Sequence, residues 1–360
     1  MKKICFVGLN LFTIGGCQRV TVSLCNDLCG KYEVHILSLC KIEDFSNYNI
    51  NEKVIVHSFN MPIDMRARKS LSAVFRLRRF LKKEKIDILF IAGTLPIPVV
   101  SLIRAFIKCK VVFCDHENIA NRDKKSLFFR RIACKISDKI IVLTNRTLKD
   151  YIDFFSVDKN KIECIYNYID DNIYENSDKC DILSKNIISV GRISSEKGFD
   201  MAVEVARHVF NKHGDWQWHV YGDGPDYEKI NQKIKEFGLE KNFILKGSTN
   251  LIKEKYKNYS IYVLPSHREG LPLVLLEAKC NMLPIVSFDC ATGPSEIIND
   301  GIDGYLIECY NTKKMAEKIC NLIENINLRE EFSKNSRNNL YKFTRDDILK
   351  RWIDLIDNLN

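Results

Sequence analysis

The sequence contains no apolar run long enough to cross a membrane. A membrane-spanning helix needs about 18 or more consecutive apolar residues, and no such run occurs in the 360 residues. The opening segment, MKKICFVGLNLFTIGGC, has the outline of a secretion signal ending at Cys17, but Gly8 and Asn10 interrupt its apolar core. We therefore expect residues 1–40 to form a strand–loop–helix–strand unit of the folded protein.

The sequence also lacks closely paired cysteines. Its 14 cysteines are scattered, and none is in a C-x-x-C pair. Cys5, Cys114 and Cys164 lie within apolar runs, where cysteine acts as a small hydrophobic residue. This pattern argues against a zinc site and against a disulfide framework. It favours a cytoplasmic protein.

Strand-like and helix-like segments alternate along the whole chain, which predicts an α/β fold with parallel sheets covered by helices. Seven apolar runs in the first half are typical of strands: ICFVGL, YEVHILSL, KVIVHSF, DILFIAG, KVVFCDHE, KIIVLT and IECIYN. The second half contains six more such runs. Each half begins with a strand, a glycine-containing loop, a helix and a strand at similar spacing. This indicates two Rossmann-like domains.

A polar stretch without apolar periodicity, near residues 168–184, is the expected boundary. We predict an N-terminal domain over residues 1–168, a C-terminal domain over 169–343, and a final helix over 344–360. That helix has an apolar stripe that must be buried, formed by Ile348, Trp352, Ile353, Ile356 and Leu359.

The segment HREGLPLVLLEA (267–278) contains Glu269 and Glu277 with seven residues between them. It follows an apolar run and indicates strand, tight turn and buried helix. The amides of Leu271, Leu273 and Val274 would then lie at the positive end of the helix, where an anion can bind. A carboxylate on each side of such a site suits a sugar–diphosphate–ribose ligand, since each can accept hydrogen bonds from hydroxyl groups. The alternative is a pair of surface glutamates.

This glutamate pattern resembles the donor-site signature of retaining glycosyltransferases of family 4, which have the GT-B fold. The resemblance continues at SVGRISSEKG (189–198), YGDGP (221–225) and DCATGPSEIINDGIDGYLI (289–307), and more weakly at IGGCQRV and CDHEN in the first half. It implies two Rossmann-like α/β/α domains facing each other across a cleft, with the last helix crossing back to the N-terminal domain. The N-terminal domain would bind the acceptor and the C-terminal domain the nucleotide sugar. The implied activity is transfer of a hexose with retained anomeric configuration.

Arg192 and Lys197 follow the first strand of the predicted second domain, where ligands bind in such folds. There they can neutralise a diphosphate, although a lone loop cation is more often solvated. The resemblance places both in the donor site, together with Gly191 and Gly222. It also gives Glu269 the task of positioning the sugar and Glu277 that of binding the ribose.

Gly15 and Gly16 follow the first strand but do not form G-x-G-x-x-G, so a nicotinamide cofactor is not expected. A glycine here permits close approach of the backbone to phosphate or sugar, or else simply a tight turn. The resemblance places a histidine near His116 in contact with the transferring sugar. A structural role for His116 is the alternative.

The chain has no D-x-D pair, which metal-dependent sugar transferases often use to hold a cation against the diphosphate. We therefore predict no metal and no cofactor, with two basic side chains and a helix N-terminus in their place. Two alternatives stay open: a nucleotide-sugar 2-epimerase of GT-B architecture, and a catalytically silent GT-B scaffold.

Charge is uneven along the chain. Residues 1–168 hold 29 basic and 16 acidic residues, a net charge of +13, whereas residues 169–360 carry −4. Arg76, Arg79 and Lys83 share one predicted helix face, which is either solvated or attracted to anionic lipid. No nucleic-acid motif accompanies this charge. The expected partners are a UDP-sugar, a glycan or lipid-linked glycan acceptor of bacterial cell-envelope synthesis, and the inner face of the plasma membrane.

Overall fold

The structure is a computed structural model, and it describes residues 1–13, 15–40, 48–61, 71–117, 119, 123–169 and 171–359. It comprises two compact units. Met1–Asn167 and Asp346–Asn360 form the first unit, and Tyr168–Arg345 form the second. Each unit has one parallel sheet flanked by helices, which confirms the predicted α/β class.

The first unit contains a seven-stranded parallel sheet in the order β3-β2-β1-β4-β5-β6-β7. Its strands are β1 (Lys3–Gly8), β2 (Glu33–Cys40), β3 (Ile55–Met61), β4 (Ile88–Ala92), β5 (Lys110–Asp115), β6 (Lys139–Val142) and β7 (Ile162–Cys164). Each corresponds to one of the seven apolar runs predicted as strands. The connecting helices are α1 (Gly16–Leu28), α2 (Leu71–Glu84), α3 (Ile97–Ile103), α4 (Lys124–Ile136) and α5 (Asn145–Phe155).

The second unit contains a six-stranded parallel sheet in the order β10-β9-β8-β11-β12-β13. Its strands are β8 (Asn186–Val190), β9 (Gln217–Tyr221), β10 (Phe243–Gly247), β11 (Ile261–Leu264), β12 (Ile285–Asp289) and β13 (Gly304–Glu308). Its helices are α6 (Asp171–Asn176), α7 (Phe199–Phe210), α8 (Tyr227–Glu236), α9 (Ile252–Lys255), α10 (Leu273–Cys280), α11 (Pro294–Ile297), α12 (Thr312–Glu324) and α13 (Ile326–Asn335).

The last helix, α14 (Arg345–Asn358), packs on the first unit, as expected for the fold. Trp352 is 6% exposed and meets the ring of Phe90 edge-on at 5.8 Å between centroids. Lys2 Nζ donates to the carbonyl of Ile356 at 2.8 Å, and the Tyr32 hydroxyl donates to Asp357 at 2.7 Å. Both apolar packing and polar contacts therefore hold α14 on the unit that begins the chain.

The strand order fixes where ligands bind. In the second sheet the connections run one way from β8 to β9 and the other way from β8 to β11, so β8 and β11 flank the topological switch point. Loops after two such strands diverge and leave a crevice at their carboxyl ends. The same reversal in the first sheet lies between β1 and β4.

Candidate functional site

The loop after β8 carries the two predicted cations. Arg192 follows the strand end at Val190 and is exposed, and no residue in the described ranges pairs with its guanidinium group. A 3₁₀ turn over Ser195–Lys197 leads to Gly198 and to the start of α7 at Phe199. Both basic side chains thus emerge at the switch point.

Lys197 pairs with Glu269 across that point. Lys197 Nζ lies 2.7 Å and 2.9 Å from the two carboxylate oxygens of Glu269. Glu269 follows β11 and is 8% exposed. A buried carboxylate needs a partner, and the structure supplies the basic side chain that the sequence assigns to the diphosphate.

The turn after β12 fixes the backbone of Glu269. The Thr292 hydroxyl, which is buried, donates to the carbonyl of Glu269 at 2.6 Å. Gly293 has φ 100°, and a Cβ added there would lie 2.6 Å from the carbonyl oxygen of Gly270. Only glycine therefore permits this close packing of the two loops.

Helix α10 supplies the predicted amides. Pro272 is its N-cap, Leu273 is its first residue, and the amide of Leu275 already donates to the carbonyl of Pro272 at 3.0 Å. Leu273 and Val274 come before Leu275 in the first turn of the helix, where amides have no intrahelical acceptor. Their amides therefore lie at the positive helix end. Leu271, in the turn before the helix, is buried.

Glu277 lies inside the protein on α10, with 3% of its surface exposed. The Tyr256 hydroxyl donates to Glu277 Oε2 at 2.8 Å. Burial, followed by the negative charges of Glu277 and Glu269, raises the pKa of Tyr262 well above its usual value. Both glutamates therefore act on one buried tyrosine, and neither is an ordinary surface residue.

Gly191 and Gly222 belong to the ends of neighbouring strands. Gly222 has φ 152°, and a Cβ there would lie 1.8 Å from the carbonyl oxygen of Gly191. Any side chain at residue 222 would push the two strand ends apart. Close packing of the strand ends therefore requires glycine at residue 222, in addition to its predicted position beside the ligand.

In the first unit, Gly15 caps α1 and Gly16 is its first residue. A Cβ at Gly16 would meet nothing within 4 Å in the described part of the chain, so space is open there. The next residue, Cys17, has its pKa raised to about 12 by burial, with Glu117 and Asp115 adding to the effect. The start of α1 and the end of β5 both lie at the carboxyl ends of strands in one parallel sheet, and therefore at the same edge.

His116 follows β5 at that edge. Its Nδ1 is buried and has no hydrogen-bond partner among the described residues. Burial lowers the pKa of His116 to about 4, although Asp115 opposes the change. The imidazole is therefore neutral near pH 7 and can hydrogen-bond to a hydroxyl group.

A buried polar network fixes the segment that holds His116. Arg130 Nε donates to Asp115 Oδ2 at 2.6 Å, and the Tyr151 hydroxyl donates to the same oxygen at 2.5 Å. Arg130 also reaches Glu117 Oε2 at 3.2 Å. Arg130, Asp115 and Tyr151 are each 1% exposed or less.

The predicted basic face is exposed on α2, whereas the basic residues that precede the helix, within residues 66–70, lie outside the described residues. Arg76, Arg79 and Lys83 are all exposed. Leu71 and Phe75, on the same helix, are 68% and 67% exposed. Large apolar side chains are also exposed on the adjoining segments: Leu102, Phe106 and Phe128.

Among the described residues, no helix is both long and apolar enough to cross a membrane. No group of three or more His, Cys, Asp and Glu side chains there is placed to hold a metal ion.

Comparison with known proteins links both halves of the chain to one class of enzyme. The family model described as "Glycosyltransferase Family 4" matches residues 14–173, and the one described as "Glycosyl transferases group 1" matches residues 180–339.

Relatives match over nearly the full length. An uncharacterized glycosyltransferase of Haemophilus influenzae is 28% identical, covering 98% of this chain and 99% of its own. An amylovoran biosynthesis glycosyltransferase of Erwinia amylovora is also 28% identical, covering 99% and 100%. A TarM variant of S. aureus, crystallised with Fondaparinux, α-GlcNAc-glycerol and UDP, superposes with a TM-score of 0.84 at 20% identity, over 99% of each chain.

Proposed function

The chain belongs to glycosyltransferase family 4 and has the GT-B fold, and we propose that it moves a sugar from a UDP-sugar to a hydroxyl of a glycan or lipid-linked glycan, with anomeric configuration retained. It is a transferase of glycan biosynthesis. The observation that supports this specific reaction best is the Lys197–Glu269 pair at the switch point, on the same loop as Arg192, whose guanidinium group has no partner among the described residues. Groups that can bind a diphosphate and a group that can bind hydroxyls thus lie at one switch point.

The leaving diphosphate would be stabilised by charge and by backbone dipoles. Arg192 can bind it bidentately, Lys197 as a point charge, and the amides of Leu273 and Val274 at the start of α10. The amides are fixed by the fold before the reaction, so they stabilise the developing charge without reorganising, whereas Lys197 must first turn from Glu269. In this proposal they replace a divalent cation.

The sugar would be held by Glu269 of the second unit, which can accept hydrogen bonds from sugar hydroxyls once Lys197 turns towards the diphosphate. Within the first unit, His116 is neutral near pH 7 and can hydrogen-bond to a hydroxyl group. Neither residue is proposed as a nucleophile, so the acceptor hydroxyl would attack on the face from which the diphosphate leaves.

Two relatives support the choice of substrates. The TarM structure contains UDP and a GlcNAc-glycerol, and the relative from Erwinia amylovora is named for amylovoran biosynthesis. UDP is therefore the proposed leaving nucleotide, and a growing glycan the proposed acceptor.

We place the enzyme in the cytoplasm, with the first unit against the inner face of the plasma membrane. The supporting observation is the surface formed by α2, α3 and α4, where exposed aromatic and aliphatic side chains alternate with basic ones. Arg78, for example, lies 5.3 Å from the ring centroid of the exposed Phe106. Apolar side chains at lipid headgroup level and basic residues beside anionic lipid both favour binding.

The reaction is tested by incubating the purified chain with single nucleotide sugars, with and without a glycan acceptor. We expect UDP release from one UDP-sugar, accelerated by acceptor, and an α-linked product when the donor is α-linked. Conversion of the donor to its 2-epimer without acceptor would instead establish an epimerase. Donor binding without turnover under any condition would contradict the proposal.

A further inference from the structure

Tyr310 has a backbone conformation that a tyrosine rarely adopts. It lies in the short turn between the end of β13 at Glu308 and the start of α12 at Thr312. Its φ is 70°, in the left-handed region. Glycine or asparagine occupies that region readily, whereas a bulky side chain adds strain.

The turn itself does not need the tyrosine ring. Asn311 caps α12 by accepting a hydrogen bond from the amide of Lys314 at 3.0 Å, so the next residue already performs the capping. The Tyr310 side chain is 65% exposed and therefore gains little from burial. Neither local structure nor core packing explains a tyrosine at this position.

The ring of Tyr310 contacts His267, with centroids 5.4 Å apart and planes inclined by 31°. His267 is itself anchored to the loop that carries Lys197. Its Nε2 donates to the carbonyl of Ser195 at 2.8 Å, and its amide donates to the carbonyl of Glu196 at 3.2 Å. His267 also precedes Glu269 by two residues, so the ring pair borders the proposed donor site.

We propose that Tyr310 and His267 form a stacking surface for a pyranose ring of the acceptor. This inference rests on the proposed function and assigns an acceptor subsite within the second unit. The C–H face of a sugar ring is apolar and packs favourably against an aromatic ring, while its edge keeps the hydroxyls in water. An open ring suits a ligand that arrives from solvent, whereas the donor sugar is assigned to the buried Glu269.

The test compares Tyr310→Asn, Tyr310→Phe and wild type. Asparagine tolerates the left-handed conformation but lacks the ring, and phenylalanine keeps the ring but lacks the hydroxyl. Tyr341→Asn removes a tyrosine of similar exposure, 61%, elsewhere in the second unit and is the matched control.

The probes are methyl glycosides of glucose, galactose and their two N-acetylamino forms, each added to UDP-saturated protein. Saturation-transfer NMR on the ring C–H protons reports stacking, and titration reports affinity. UDP affinity, measured separately, shows whether each variant keeps its donor site.

We expect at least one glycoside to receive saturation in wild type, in Tyr310→Phe and in Tyr341→Asn. Tyr310→Asn should bind that glycoside about tenfold more weakly, a typical effect of losing an aromatic contact, with UDP affinity unchanged and the melting temperature not lowered. Unchanged glycoside affinity in Tyr310→Asn, or no binding of any glycoside to wild type, would overturn the subsite. Failure of the proposed reaction is distinct, because it would appear as absent UDP-sugar turnover in wild type.

Discussion

Lys197 and Glu269 lie 72 residues apart in the chain, yet the ammonium group of one contacts both carboxylate oxygens of the other at 2.7 and 2.9 Å. In the proposed reaction these side chains have separate tasks, one at the diphosphate and one at the sugar. Their pairing means that each is neutralised until the donor arrives. A diphosphate that draws Lys197 away would leave Glu269 available to sugar hydroxyls, so binding of the two donor ends would be coupled.

The phosphate-binding role of the two cations can be tested by substitution. Arg192→Ala and Lys197→Ala should each reduce kcat/KM on the order of 100-fold or more, as expected when a group that stabilises developing charge is lost. Steady-state kinetics with the UDP-sugar would measure this. Lys229→Ala, at an exposed site on α8, is the control and should behave as wild type. Near-normal kinetics in both variants would rule out the assignment.

Substitutions of Glu277 and Glu269 should differ in their effect on the affinity for UDP. Glu277→Gln should weaken the affinity for free UDP about tenfold or more, because a hydrogen bond from ribose to a charged group contributes about 1.5–3 kcal/mol. Glu269→Gln should not weaken UDP binding, because it releases Lys197 from its ion pair, and should impair only sugar transfer. Calorimetric titration of UDP distinguishes them, and equal losses would reject this division of roles.

Activity should not depend on a divalent cation. Arg192, Lys197 and the amides at the start of α10 are proposed to neutralise the diphosphate in its place. Turnover measured after EDTA treatment should therefore match that of untreated enzyme. Loss of activity that Mn²⁺ or Mg²⁺ restores would show that a metal is required.

Stability should fall on acidification because of buried histidine. His219 on β9 is 9% exposed, and burial, helped by the charge of Lys246, lowers its pKa from 6.5 to about 4. Between pH 6.5 and pH 4 this imidazole is protonated in the unfolded chain but neutral in the folded chain. Its contribution to the free energy of unfolding is therefore complete above pH 6.5 and declines towards pH 4. One such group contributes at most about 1.4 kcal/mol per pH unit.

Urea denaturation at several pH values would measure this effect. His219→Gln should flatten the decline between pH 6.5 and 4, whereas His208→Gln, at an exposed position on α7, should not. An unchanged slope in His219→Gln would show that other groups cause the acid sensitivity.

Both electrostatic attraction and apolar contacts should contribute to membrane binding. We expect co-sedimentation with anionic but not neutral liposomes, reduced in an Arg76/Arg79/Lys83→Glu variant and at about 1 M salt, where the Debye length shrinks to about 3 Å. Phe75→Ser should also weaken binding, because that ring is exposed on the same helix.

A matched variant of the second unit, Lys229/Lys235/Lys241→Glu, changes charge equally at exposed positions and should bind liposomes normally. If wild type ignores anionic liposomes at low salt, the basic face of α2 is merely solvated.

The sequence was sufficient to predict the strands, because their apolar runs are continuous and the intervening segments have helical spacing. It also indicated a buried α10, since apolar residues occupy nearly every position around that helix. The orientation of α2 was harder: Ala73, Leu77, Phe80 and Leu81 face the core, and this leaves Leu71 and Phe75 exposed. Apolar residues of α2 occur on more than one side of the helix, so the sequence does not determine which of them the sheet covers.

Contacts between distant segments could not be predicted from the sequence. Tyr256 meets Glu277, and Thr292 meets the backbone of Glu269, only because strand order places their loops at one edge. The network of Arg130, Asp115 and Tyr151 is similar: each residue alone resembles a surface polar residue, and only the fold buries them together.

The return of α14 to the first unit has a consequence for synthesis. Phe90 obtains its cover from Trp352, and the ribosome must translate all of Tyr168–Arg345 before that tryptophan exists. The first unit therefore remains incomplete, with the apolar surface around Phe90 uncovered, while residues 168–345 of the second unit are synthesised and can fold. The second unit is the one that can reach its finished state first, although its residues are made second.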